Sequence, residues 1–176
     1  MKKVIILDFD AEAKNYQAFS EIKKLVASGA LKGEQMAVVQ QKTDGSHTFT
    51  IEDFIDFTGQ NKTAKSSMIG SIIGIFGAGL PGMLIGWLTG SVIGSVQDAK
   101  EIRLAKTIFE HVNDQIHEGE TGVVLIADEE DNRPLNQLIM GELGGQINRL
   151  DFADVMASIE AAKKEPTATS DAAAKK

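Results

Sequence analysis

Apolar positions along this chain fall into short unbroken runs and into stripes at helical spacing, with turn residues between them. Val4–Phe9 (VIILDF) is a run rich in β-branched residues and reads as a central strand. Glu12–Ser28 carries Ala18, Phe19, Ile22, Leu25 and Val26 at helical spacing, and Gly29 closes it as a helix stop. Met36–Gln40 is a second strand. Thr43-Asp44-Gly45-Ser46 supplies turn chemistry, and His47–Glu52 alternates with Phe49 and Ile51 on one face, so a hairpin is predicted. Asp53–Asn61 is expected to lead out of the sheet. Further on, Asp98–His117 places Ile102, Ala105, Phe109, Val112 and Ile116 on one stripe, a helix lying against a sheet. Thr121–Ala127 (TGVVLIA) is another unbroken strand run. Asp131 or Asn132 can cap a short helix with Pro134 in its first turn, and Gly144-Gly145 ends it. Gln146–Leu150 reads as an edge strand and Phe152–Lys163 as an amphipathic helix. From Glu165 onward the chain is of low complexity, and disorder is expected there.

Between Lys65 and Asp98 the pattern changes, because no charged residue occurs there. Glycine recurs at fourth positions, as Gly70 and Gly74 and then as Gly82, Gly86, Gly90 and Gly94, with Ala78 extending the first series. Residues four apart form one ridge of a helix, and a ridge without side chains is a groove that admits a second backbone. Glycine inside a solvated helix costs about 1 kcal/mol each, so close helix–helix packing is the expected compensation. Leu80-Pro81-Gly82 interrupts the stretch, proline by removing a donor and Gly82 by its access to positive φ. The prediction is a hairpin of two arms, about Ala64–Gly79 and Gly82–Gln97, turning at Pro81 and Gly82. Each arm is roughly 20–24 Å long at ~1.5 Å per residue, short of a comfortable membrane span. Such a hairpin can insert in lipid, zip into a homo-oligomer, or form a buried pair within one domain. A chain of 176 residues has little other surface with which to wrap both arms, which argues against the last. Lys62, Lys65, Lys100 and Arg103 flank the hairpin and suit lipid headgroups or any solvated helix end.

Without the insertion the order is strand, helix, strand, strand, helix, strand. That is the α+β, ferredoxin-like split β-α-β sandwich, with helices expected on one sheet face. The domain reading is 1–61 and 98–151 as two halves of that fold, 62–97 as the inserted glycine-zipper hairpin, 152–163 as a C-terminal helix and 164–176 as a tail.

Formal net charge is -7 and pI about 5.0, which argues against a nucleic-acid partner held through phosphates. The chain has no cysteine, so disulfides and thiolate metal sites do not arise. Met1-Lys2-Lys3 precedes an apolar run of only four residues before Asp8, too short for the core of a signal peptide. The expected location is the cytoplasm, with association at the inner membrane.

Candidate chemistry is sparse. VIILDFD, with Asp8 and Asp10, matches the strand-then-DxD start of haloacid-dehalogenase phosphotransferases, in which one carboxylate attacks phosphorus beside Mg²⁺. Asp128, Glu129 and Asp131 could imitate the acidic magnesium loop. Against this, Asp10 is well placed as a helix N-cap, and no phosphate-binding Ser/Thr follows a strand in the required order. The run from Asp128 to Asp131 reads first as a solvated, helix-capping loop. His47, His111 and His117 lack metal-ligand spacing, Gly70–Gly79 lacks the lysine of a phosphate loop, and Trp87 reads as a packing residue.

Four stretches taken together resemble a family of small bacterial proteins: VIILDFDAEAKNYQAF, DFTGQ, GSIIGIFGAGLPGMLIGWLTGSVIG, and TGVVLIADEED with LGGQINRLDF downstream. The family is labelled as predicted membrane proteins of unknown function (domain-of-unknown-function family 1269). The resemblance covers most of residues 3–151. It implies a ferredoxin-like core and membrane association, and it carries over no catalytic residue. The resulting expectation is a non-enzymatic protein without cofactor or metal, associating through its glycine-zipper hairpin with copies of itself and with membrane lipid. The alternative is a Mg²⁺-dependent phosphotransferase using Asp8 and Asp10.

Overall fold

The computed structural model describes residues 1–46, 48–60, 63–64, 67–78, 112 and 114–164. Its elements in chain order are β1 (Lys2–Asp8), α1 (Glu12–Ala27), β2 (Lys32–Gln41), β3 (Phe49–Asp56), α2 (Met68–Ala78), β4 (Thr121–Asp128), α3 (Arg133–Asn136) continued by a π-helical turn (Gln137–Glu142), β5 (Gln146–Asp151) and α4 (Phe152–Lys164). The protein is α+β, as expected. Its five strands form one open sheet in the order β3-β2-β4-β1-β5, and every neighbouring pair is antiparallel. β1 and β2 therefore run in the same direction, joined through α1, with β4 between them.

Two expectations are corrected by this arrangement. Helices cover both faces of the sheet and not one. Val4, Ile6, Ala37, Val39, Val124 and Ile126 point to one side, where they meet Ile69 and Ile72 of α2 and Val155 and Ile159 of α4. Ile5, Leu7, Met36, Val38, Val123 and Leu125 point to the other, where they meet Ala18, Phe19 and Ile22 of α1 and Leu135 and Ile139 beyond β4. The second correction concerns which strand lies between β1 and β2: the hairpin strand β3 was expected there, whereas β4 takes that place and β3 is the sheet edge beyond β2. The physical reason is one of composition. A central strand in a sheet covered on both sides must be apolar on both sides, which suits TGVVLIA. β3 carries Glu52, Asp53 and Asp56 and is only partly buried, which suits an edge.

Local chemistry explains the helix ends. Gly29, at φ 77°, follows the C-cap Ser28; its N–H donates to Val26 O and that of Ala30 to Leu25 O, a Schellman stop. Asp10 does not cap α1 as expected. The N-cap is Ala11 with no side-chain bond, and Asp10 instead holds Lys14 at 3.0 Å, one turn along. The N-cap of α3 is Asn132, likewise without a side-chain bond, and Asp131 before it accepts from the Arg133 N–H at 2.9 Å. Gly145 is obligatory for a different reason: a Cβ there would overlap the Phe9 ring and lie 2.8 Å from the Asp8 carbonyl. Of the predicted helix 98–117, Val112 and Ile116 are buried in the first core, and the Ile116 N–H donates to Val112 O at 3.0 Å. Ile102, Ala105 and Phe109 lie outside the described residues, as does the tail from Glu165.

Candidate functional site

α2 occupies most of the predicted first arm of the hairpin. Ser67 starts it as an N-cap, its Oγ accepting from the Gly70 N–H at 3.0 Å. The Ile69 N–H is satisfied from outside the helix, by the Gln35 side-chain oxygen of β2 at 3.1 Å. Ile69, Ile72 and Ile73 are 0 %, 1 % and 4 % exposed and lie in the core on the first sheet face. Burying one such side chain contributes about 1.5–3 kcal/mol, so α2 is firmly seated on this domain. The first arm is thus seated in part on the domain itself, whereas chain length argued against wrapping both arms, and the second lies outside the described residues. A sheet covered on both faces offers more wrapping surface than a one-sided sandwich.

The glycine ridge points elsewhere. At about 100° per residue, Gly70 and Gly74 stand roughly a third of a turn from the isoleucine face. Gly70 is half-buried, Gly74 is exposed, and a Cβ built on Gly74 meets nothing within 4 Å among the described residues. A groove runs between this face and the edge strand β3, lined by Phe49, Ile51, Phe54, Ile73 and the two glycines. Ala78 ends α2. Pro81, Gly82, Gly86, Gly90, Gly94 and Trp87 lie outside the described residues. Among the described residues no helix is long and apolar enough to cross a membrane.

The carboxylates of the phosphotransferase reading do not converge. Asp8 lies opposite Gly122 at one end of the β1–β4 pair, and Asp128 lies opposite Lys2 at the other. Six residues at ~3.4 Å put them about 20 Å apart. Burial pushes the Asp8 carboxyl above its ordinary range, against the opposing Phe9 N–H and with a further upward push from Glu120. Asp10 is held low by its bond to Lys14, and Asp128 by the N-terminal ammonium. Arg133 lowers Asp131 to about 2. The acidic run is not wholly solvated either. Glu129 turns inward, 5 % exposed, and accepts from Arg149 Nε at 2.5 Å and Nη2 at 2.7 Å, while Nη2 also reaches Asn136 Oδ1 at 2.8 Å. No group of three or more metal-binding side chains occurs among the described residues. His117 is exposed and bonded to Glu120 at 2.9 Å, whereas His47 and His111 lie outside the described residues.

Sequence reasoning missed Gln35 and Ser67. The second had a signal, a serine directly before an uncharged apolar run. The first had only a weak one, a glutamine beside the apolar run MAVV. No family model, no curated protein and no solved structure matches this chain.

Proposed function

We propose that this protein is a non-catalytic association domain that displays a glycine-ridged hairpin to a second copy of itself. Its stretch β5-β1-β4-β2, with α1 and α3 on one face, is read as the ferredoxin-like core, and β3 as a strand added at its edge. The observation that carries the reading is the division of α2 into two faces. Ile69, Ile72 and Ile73 anchor the helix to the sheet, while no described residue covers the Gly74 Cβ position. An uncharged helix with one face seated and a second face stripped of side chains is suited to receive another helix at short distance. Seating on the sheet also weighs against α2 as a freely inserted lipid span, since its isoleucines already have a partner. Membrane lipid is the competing partner. No metal, cofactor or nucleic acid enters this reading.

The test is Gly86→Leu with Gly90→Leu in the full chain. Leucine raises helix propensity and apolarity, which a lipid-facing arm tolerates, but it overpacks a close helix contact by roughly 1–3 kcal/mol per site. The expected result is a lower mass by light scattering. Unchanged mass with equal or stronger retention in a membrane pellet would make the hairpin a lipid anchor.

A further inference from the structure

Gln35 is a polar side chain where the core calls for an apolar one. It is 1 % exposed and sits opposite Ile126 on the sheet face that carries α2. Its Oε1 accepts the Ile69 N–H at 3.1 Å, and its Nε2 donates to Asp56 Oδ2 at 3.3 Å. One residue earlier the β2–β4 register shifts, and the Glu34 carbonyl accepts the Phe57 N–H at 2.9 Å. The start of β2 therefore holds the end of β3 and the start of α2 together, the two ends of the 57–67 connection.

A buried amide costs stability unless it is bonded, and a methionine or leucine would fill the same space without that requirement. What the amide adds is direction. Three isoleucines on a sheet give non-directional adhesion and tolerate rotation of the helix, whereas a hydrogen bond to one particular N–H does not. We propose that Gln35 is the positioning residue of α2. By holding Ile69 to β2 it fixes which face of α2 meets the sheet, and hence where the Gly70–Gly74 ridge points. Only the consequence for oligomerisation rests on the association reading above.

The absence of cysteine from the chain makes single-cysteine reporters unambiguous. In the full chain, Ile72→Cys reports the α2 face and Val123→Cys the opposite face of the sheet, which α1 covers. With Gln35→Met added, thiol labelling at Ile72→Cys should quicken on the order of 10- to 100-fold, and labelling at Val123→Cys should not change. Equal acceleration at both sites would reduce Gln35 to general stability and overturn the proposal, as would no acceleration at either. A second measurement needs no substitution. Hydrogen exchange in the unaltered chain should show Ile69, whose first-turn N–H has no partner within its own helix, slowed like a bonded amide. Free exchange at Ile69 would refute the bond itself. Unchanged mass in the Gly86→Leu, Gly90→Leu chain would sink the association reading and leave both of these results standing.

Discussion

Arg149 grips Glu129 across the end of the sheet with two parallel hydrogen bonds, and the carboxylate it holds is 5 % exposed. A pair in this geometry gives specificity as well as energy. Removing one partner leaves a charge in a place where water cannot reach it. Arg149→Met should therefore cost about 3 kcal/mol, the low end for a broken buried pair, because Arg149 itself remains 23 % exposed. Adding Glu129→Leu should recover most of that loss. Urea unfolding of the two variants decides the matter. A double variant no better than the single one would show that the pair is not the source of the loss.

Asp8 supplies a pH signature with a definite sign. Burial raises its folded-state pKa above the ordinary 3.8, so between those two values the native state binds more protons than the unfolded chain. Stability from this group is present at low pH and is lost as pH rises through the raised value. Asp10, Glu120, Asp128, Asp131 and Asp151 are shifted downward and act in the opposite sense, but they are common to both proteins in a comparison. Asp8→Asn should therefore gain stability relative to the parent as pH rises from about 3 to about 7, reaching a plateau above the Asp8 titration. A flat difference across that range would mean that Asp8 is not desolvated.

The two faces of α2 predict opposite effects from neighbouring positions. Ile72→Ala removes a fully buried side chain and should cost about 2–5 kcal/mol. Gly74→Ala adds a methyl group where no described residue stands within 4 Å, and it removes a poor helix former, so it should gain up to about 1 kcal/mol. Both are read from thermal or urea unfolding at low protein concentration, where association contributes little. A loss at Gly74→Ala would place a close neighbour against the ridge.

Much of the secondary structure was written in local pattern. Runs such as VIIL and VVLIA became central strands, the stripe ending at Gly29 became α1, and α2 falls within the predicted first arm. β5 is the edge strand its sequence indicated, pairing with β1 alone among the described residues. These features depend on spacing over a few residues, which a sequence states directly. One further fact was also present: strands apolar on both sides need cover on both sides. The order of elements pointed instead to a one-sided sandwich, and the two signals disagreed.

The tertiary structure decided what depends on residues far apart in the chain. Whether β3 or β4 lies between β2 and β1 was settled by which strand could lose water on both faces, Thr121–Asp128 and not Phe49–Asp56. Asp10 follows a strand as an N-cap would, yet it bonds Lys14. Glu129 sits in an acidic run as a solvated residue would, yet its position at the end of β4 brings it to Arg149. Gln35 finds Ile69 only because β2 and α2 share a sheet face, 34 residues apart in sequence. A polar side chain has several acceptable partners, and its local sequence does not choose among them. Register and burial choose, since an unpaired polar group is costly only where the fold has removed its water.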